Sequence, residues 1–317
     1  MASSMKVSSE SVETIAERAS FDIREAGELL RGMARKGLVR AKRKDRQLVF
    51  GLMPFIVGFY EEQLPKMDKE LAGLVEAYLQ EAHDAFYGTG PSVHRIVPVE
   101  QAILFELEIF PHERAVQLVE ESKSWGVRDC ICRVQQRLVG KGCHHDIENC
   151  LMIAPMENAF SRSEITRAIT KNDALQILQE SEKAGLVTNT ANHREGIYYL
   201  CNCCSCCCGV LRGLTEFGLP TAVAKSDFRV VQNKELCLDC GACEERCQFG
   251  ALSMREGSCE LKEERCMGCG LCVSVCPAEA LVLERRPSGE VPATAETIKD
   301  WMAERAENRG ISTEGIL

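Results

Sequence analysis

The sequence predicts an α+β chain of several domains, and three patterns carry that prediction. A basic opening stretch pairs helical spacing with a short hairpin pattern, the middle is dominated by apolar residues at helical spacing, and two four-cysteine motifs flank a short alternating segment near the C-terminus. The divisions that follow are a head over 1–53, a mostly helical cysteine-rich central lobe over 54–209, a cysteine-motif module over 210–286, and a loop and helix over 287–317.

Residues 8–52 have the pattern of a winged helix, so the head is read as winged-helix-like. Ser11 to Ala19 reads as one amphipathic helix. Asp22 is placed to cap a second, Ile23 to Lys36, in which Leu29, Leu30 and Met33 recur at helical spacing. Gly37 stops that helix, and Leu38–Arg40 and Gln47–Phe50 read as strands around the basic tip Lys42-Arg43-Lys44-Asp45-Arg46. Residues 1–46 hold 11 Lys/Arg against 7 Asp/Glu, a net of +4, while the remainder holds 27 against 40, a net of −13. A basic head on an acidic body makes Arg31, Arg35, Lys42, Arg43 and Lys44 the candidate nucleic-acid contacts. Glu25 and Glu28 lie on the same helix and repel phosphate, and winged helices also dock proteins, so the fold alone does not choose.

In the central lobe, Phe59–His83 reads as a helix with Leu71, Leu74, Val75 and Tyr78 at core spacing. Pro91–Pro98 breaks the chain, and Val99–Ile109 and Glu113–Ser124 read as further helices. The head has an echo here: Leu29-Leu30…Lys36-Gly37-Leu38-Val39 recurs as Ile177-Leu178…Ala184-Gly185-Leu186-Val187, at an offset of 148. The second copy runs through Gly196 to Leu200 into Cys201, and so reads as a small helix–sheet unit that delivers cysteines. The tail reads as a loop and a helix near Ala295–Asn308, with Trp301 and Met302 available to dock.

Apolar residues at 45% and charged residues at 27% exclude wholesale disorder, which leaves the 19 cysteines as the outlier. A disulfide framework suits a short secreted chain. This one has 317 residues, and Met1 to Val7 lacks the basic and apolar pattern of an export signal. The longest apolar stretch, Leu48 to Phe59, falls short of the roughly 20 residues of a membrane span. The expectation is therefore a cytoplasmic chain whose cysteines bind metal.

Cys237-x2-Cys240-x2-Cys243-x3-Cys247 is followed by Cys266-x2-Cys269-x2-Cys272-x3-Cys276-Pro277. Thiolates at every third residue of a tight loop wrap three corners of a cubane, and the fourth ligand must come from elsewhere. Over 228–286 the chain resembles bacterial two-cluster ferredoxins, in which the fourth cysteine of each run serves the other cluster. The resemblance implies two [4Fe–4S] clusters, one on Cys237, Cys240, Cys243 and Cys276, the other on Cys266, Cys269, Cys272 and Cys247. Gln248 departs from the proline usual after the first run, and zinc is the alternative occupant of such thiolates. Gly241, Gly268 and Gly270 allow close turns, a hairpin is expected about Gly257 and a closing strand over Ala280–Leu283; Cys259 is read as packing.

Ten further cysteines fall in two groups, Cys130-Ile131-Cys132-Arg133 with Cys143 and Cys150, and Cys201 with Cys203, Cys204, Cys206, Cys207 and Cys208. A joint site is expected, with Cys132, Cys143 and Cys150 completed by the second group, and a subset of Cys132, Cys143, Cys150, Cys201, Cys203, Cys204, Cys206, Cys207 and Cys208 holding at least one additional Fe–S cluster. Were residues 201–208 extended, Cys204, Cys206 and Cys208 would share one face and Cys201, Cys203 and Cys207 the other. Adjacent cysteines point apart, which disfavours two ligands to one iron from a Cys-Cys pair, and His144 and His145 are read as exposed loop residues. Residues 54–209 are also similar to a family of larger iron–sulfur proteins of anaerobes with C-x-C-R…C…C and N-C-C-x-C-C-C blocks, matched here by Cys130–Arg133, Cys143, Cys150 and Asn202–Cys208. That resemblance implies redox work without naming a substrate.

Dinucleotide, P-loop, radical-SAM and haem motifs are absent, and no hydrolytic constellation stands out, so catalytic residues are unassigned. The leading expectation is low-potential electron transfer between donor and acceptor redox proteins, alone or as an oxidoreductase component. The alternatives are a redox-sensing winged-helix DNA-binding regulator and a catalytic reductase subunit with an open-site cluster.

Overall fold

Two side-chain caps start the helices of the head. Ser11 Oγ accepts the Thr14 N–H at 3.3 Å and opens α1 (Val12–Ala19), and Asp22 Oδ1 accepts those of Arg24 and Glu25 at 2.9 and 3.1 Å and opens α2 (Ile23–Arg35). Asp45 and Arg46, both at positive φ, turn β2 (Arg40–Lys44) into β3 (Gln47–Gly51), and β1 (Glu10–Ser11) pairs with the far edge of β3. Met5, Ile15, Leu30, Val39 and Phe50 are buried between the helices and this three-stranded sheet. These elements belong to one unit of a computed structural model, Met1–Met67 with Met302–Leu317; the other unit is Asp68–Trp301. The structure describes residues 1–102, 110–314 and 316.

The larger unit opens with α3 (Lys69–Tyr87), capped by Asp68, whose Oδ1 accepts the Leu71 N–H at 2.8 Å. After it come β4 (His94–Ile96), α4 (Ala115–Glu120), β5 (Ser124–Asp129), α5 (Ile131–Leu138), β6 (Glu148–Ala154), β7 (Arg167–Ile169), α6 (Lys171–Lys183), β8 (Val187–Ala191), β9 (Tyr199–Cys203), α7 (Gly209–Thr215) and β10 (Val223–Ala224). Seven of these strands make one sheet in the order β10-β4-β8-β9-β6-β5-β7, antiparallel except for β10 and β4. The expectation of a mostly helical lobe is corrected here: a sheet organises it. The strands are short and carry Cys, Asn and Thr, and β8 is buried along its whole length, so it shows no alternation to read.

Alternation does survive in β6, where Asn149, Leu151 and Ile153 are buried and Cys150 and Met152 face the other side. Leu151 and Ile153 pack with Leu200, Val127, Val119, Ala174 and Leu178 against α4 and α6. The core spacing assigned to α3 also shifts. Val75 is buried as expected, but Leu74 and Tyr78 are 62% and 48% exposed, and Ala72, Glu76 and Leu79 face inward in their place. Of the two helices expected over Val99–Ile109 and Glu113–Ser124, residues 103–109 of the first lie outside the described residues, and the second shortens to α4 because Ser124 begins β5.

The C-terminal part of this unit pairs β11 (Phe228–Gln232) with β14 (Leu281–Arg285), and between them lie α8 (Ala242–Arg246) and the hairpin β12 (Leu252–Arg255) to β13 (Ser258–Leu261), turning at Glu256 and Gly257. In α9 (Ile298–Asn308), the Trp301 indole N–H donates to the Ser92 carbonyl at 2.9 Å. Among the described residues no helix is long and apolar enough to cross a membrane.

Candidate metal centres

The two cysteine runs fold into two thiol sets. Cys237, Cys240, Cys243 and Cys276 line one cavity open to solvent, with Leu238, Gly241, Pro277 and Ala280 among its walls. The fourth cysteine of the second run thus joins the first three of the first run. Conversely, Cys247 lies within electrostatic reach of Cys269 and Cys272, as does Cys266; burial pushes the Cys269 thiol up to about 12 and that of Cys272 well above its ordinary range. Each fourth cysteine accepts an N–H from the residue four places on, Ala251 to Cys247 Sγ at 3.2 Å and Ala280 to Cys276 Sγ at 3.3 Å. Such N–H···S bonds orient a cysteine ligand towards a cluster. Gly268, at φ 70°, could take no side chain, because a Cβ there would stand 2.0 Å from the Phe228 carbonyl oxygen.

These thiols suit a cluster better than a single ion. Among the described residues, ligand atoms gather within 4.8 Å of one another in only one set of three or more, and that set is Cys143, Cys204, Cys206 and Cys207. The first ferredoxin-type set instead surrounds a cavity, with thiols, small residues and no charged side chain on its walls. One cysteine read as packing lies there too: Cys259 lines the cavity, its Sγ 3.4 Å from that of Cys243. It reaches the site because it is paired with Met254 in the β12–β13 hairpin, a register that no spacing rule for cysteine motifs records.

The central cysteines come together in two groups rather than the joint site expected. In the first, Cys143 Sγ lies 3.7 Å from Cys204 and 3.6 Å from Cys207, and Cys206 and Cys207 are 3.8 Å apart. The adjacent pair therefore does converge. In the second, Cys150 and Cys201 face each other across β6 and β9 with sulfurs 3.8 Å apart, and thiol contacts continue from Cys201 to Cys203, Cys208, Cys132 and Cys130. Cys132 and Cys150 thus part from Cys143. The alternation expected along 201–208 fails beyond Cys203 for a physical reason: β9 ends there, a turn follows, and α7 begins at Gly209. Strand geometry keeps Cys201 and Cys203 on one side, and the turn then exchanges the places of Cys207 and Cys208. His144 is exposed and neither it nor His145 joins a ligand set among the described residues.

Arg133 stands between the groups and is fully buried. Its guanidinium donates to the Asp146 carbonyl at 2.8 Å, Asn149 Oδ1 at 2.6 Å and the Asn202 carbonyl at 2.7 Å, all neutral acceptors, while Nε has no hydrogen-bond partner. The ionisable groups that act on it are the thiols of Cys130, Cys203 and Cys204. The Cys207 thiol, with the Arg133 guanidinium beside it, holds Cys204 down to about 4, whereas burial and Cys204 push Cys206 up to about 12.

Gln248, where the ferredoxin pattern has proline, joins the two cysteine regions. Its Oε1 accepts the Ser205 N–H at 2.5 Å, and its Nε2 donates to the Gly185 carbonyl and, at 3.4 Å, to that of Cys203. Next to it, Arg246 donates to the carbonyls of Glu182 and Lys183 at 2.5 and 2.8 Å. The helix that leaves the cysteine loop is anchored as well: Arg212 of α7 makes two bonds to Glu76 of α3, at 2.9 and 2.7 Å, with Gln136 donating to the same carboxylate at 2.7 Å. These bonds hold the Glu76 carboxyl well below its usual range despite burial. Sequence reading missed this pair, whose partners lie 136 positions apart.

In the head, Arg31, Arg35, Lys42, Arg43 and Lys44 are all exposed, and every residue of β2 is exposed. Arg24 pairs with Glu28 at 3.4 Å on the same helix.

No curated protein matches the chain. Residues 236–280, the stretch that carries both cysteine runs, match the family model of the 4Fe-4S dicluster domain.

Proposed function

We propose that the chain is an electron-transfer iron–sulfur protein, or the electron-transferring subunit of a redox enzyme, with two [4Fe–4S] clusters and a further Fe–S centre in the central lobe. The observation that carries this reading is the first thiol set, in which Cys276 of the second run joins Cys237, Cys240 and Cys243 around one cavity, with Cys247 of the first run near Cys269 and Cys272. When bound, such a cluster supplies a one-electron store at low potential. The chain's own residues hold the thiolates, direct the Ala251 and Ala280 N–H groups at sulfur, and use Gln248 to fix the second set against the central cysteine loop. Donor and acceptor proteins complete the function, and the acidic body suits a basic partner face. The central thiols are in surplus, which supports closed coordination over a reductase site with an open iron.

The test is reduction of the anaerobically purified full chain with dithionite, followed by electron paramagnetic resonance. Two interacting [4Fe–4S]⁺ signals are expected. A chain that carries zinc without sulfide and accepts no electron refutes the reading.

A second reading has one observation in its favour. The wholly exposed strand β2 presents Arg40, Lys42, Arg43 and Lys44, as a winged-helix-like DNA-binding regulator requires. It predicts salt-sensitive duplex retardation that changes with oxidation state; no retardation at low salt in either state removes it.

A further inference from the structure

Ten central cysteines exceed what one centre uses, and their geometry divides them. Cys143, Cys204, Cys206 and Cys207 form a closed set, with neighbouring sulfurs 3.6, 3.7 and 3.8 Å apart and all four within 4.8 Å. A tetrahedral ion with metal–sulfur bonds of about 2.3 Å has sulfur–sulfur edges of about 3.8 Å, so this set has the span of a single ion, and four thiolates complete its coordination. A cubane would hold its thiolates further apart, since each binds a different iron.

Of the other six, Cys150 and Cys201 meet with sulfurs 3.8 Å apart, and electrostatic coupling links Cys201 in turn to Cys203, Cys208, Cys132 and Cys130. Among the described residues, no three of their sulfurs lie within 4.8 Å of one another. Six thiols over that span are too dispersed for one ion and too many for ordinary packing.

Arg133 provides the independent observation. A fully buried guanidinium costs several kcal/mol unless it faces negative charge. Its hydrogen bonds go to two carbonyls and an amide oxygen, and its Nε has no partner. The groups near it that can carry negative charge are the thiols of Cys130, Cys203 and Cys204. Thiolates held by metal are the anions that this cation is placed to balance.

We propose that the central lobe holds two centres of different kinds: a mononuclear tetrathiolate ion, zinc or iron, at Cys143, Cys204, Cys206 and Cys207, and a multi-iron Fe–S cluster on thiolates from the six-cysteine set, with Arg133 as the fixed countercharge between them. This rests on the iron–sulfur reading above and goes beyond it in the number and kind of centres. The strand-to-turn-to-helix course of residues 201–208 makes the division, sending Cys201, Cys203 and Cys208 to one centre and Cys204, Cys206 and Cys207 to the other.

Iron, zinc and acid-labile sulfide per chain test the proposal on the anaerobically purified full chain and on two double variants. Cys150→Ser with Cys201→Ser should lose iron and sulfide together and keep the ion that has no sulfide. Cys143→Ser with Cys206→Ser should lose one metal ion per chain and no sulfide. The ferredoxin signals in the reduced variants report folding. If they are missing from the unsubstituted chain as well, the electron-transfer reading fails, which is a separate result. Should a variant fail to fold, Mössbauer spectra and zinc-edge X-ray absorption of the unsubstituted chain decide. They should show one mononuclear four-sulfur ion, and cluster iron above the roughly eight of a two-cluster ferredoxin. The proposal is overturned if both variant pairs empty the same metal, if Cys150→Ser with Cys201→Ser leaves iron and sulfide unchanged, or if no mononuclear ion is present.

Discussion

Replacing Gln248 with alanine should loosen the ferredoxin module from the central cysteine loop while leaving all eight motif cysteines in place. The side chain accepts from the Ser205 N–H at 2.5 Å and donates to the Gly185 and Cys203 carbonyls, the latter at 3.4 Å. Each hydrogen bond of this kind contributes about 0.5–1.5 kcal/mol net, and the Cys203 contact is long, so the loss sums to about 2 kcal/mol. Where such contacts are broken in the transition state for unfolding, the whole loss falls on the unfolding rate, and 2 kcal/mol is about 30-fold. The assay is the bleaching of visible cluster absorbance in guanidinium under anaerobic conditions, a rate that remains meaningful when unfolding is irreversible. Gln248→Glu separates packing from bonding: it keeps the volume and the acceptor for Ser205 but presents an oxygen to two carbonyls, and should bleach at least as fast as Gln248→Ala. Bleaching of Gln248→Ala within twofold of the unsubstituted rate would refute the assignment of Gln248 as the tie.

Three more expectations follow from the same geometry. Glu76→Gln leaves Arg212, whose side chain is 4% exposed, without its principal carboxylate, and should destabilise the chain by about 3 kcal/mol at neutral pH, seen as faster bleaching. Because the folded carboxyl is held below its ordinary 4.5, that increment is complete above 4.5 and is lost as pH falls towards the folded value, so the gap between variant and parent should narrow on acidification. Asp227 behaves oppositely. Burial and the neighbouring Glu113 raise it to about 6, so its contribution is present at low pH and is lost as pH rises through 6; Asp227→Asn should be neutral near pH 4 and stabilising by the order of 1 kcal/mol at pH 8, after allowance for its solvent contact. Cys259 stands 3.4 Å from Cys243 in the first cavity, so Cys243→Ala should retain that cluster with an altered resonance signal, and Cys243→Ala with Cys259→Ala should lose it; equal loss in both variants would show that Cys259 only packs.

What the sequence discloses and what it withholds follow from how far each signal reaches along the chain. The cap at Asp22, the stop at Gly37 and the turn at Gly257 are decided within three or four residues, and each stands where its pattern places it. The echo between Gly37 and Gly185 is local too: both follow a helix, both take positive φ, at 70° and 79°, and a strand comes after each. The seven-stranded sheet escapes because its pairings join distant segments, such as Cys150 with Cys201 and His94 with Ala191, and because β8 is buried on both faces. The face of α3 was misjudged because apolar spacing gives no weight to a carboxylate, and here Glu76 turns inward to meet Arg212.

The departures from local rules concentrate on one loop. Gln248 replaces the expected proline and binds the backbone at Cys203 and Ser205; Arg133 is a buried cation bonded to the Asn202 carbonyl; Arg212, four residues beyond Cys208, is tied to Glu76. Residues 201–208 are thus held at the start, the middle and the exit by three polar anchors from three different elements. A loop with six thiols has many ways to fold back on itself, and every mispairing of sulfur would be chemically competent. Polar anchors discriminate among those arrangements because a wrong one leaves a buried charge or amide unpaired, at a cost of several kcal/mol that apolar packing would not impose. On this argument the anchors act before any metal arrives, setting which thiols face which centre. The unloaded chain should therefore react with a small thiol reagent unevenly, fastest where the Cys204 thiol, held down to about 4, lies beside the exposed Cys206, whereas Arg133→Met should broaden reaction across the loop. Uniform reactivity of the ten central cysteines in the unsubstituted apo-chain would show instead that metal, not the polypeptide, imposes the division.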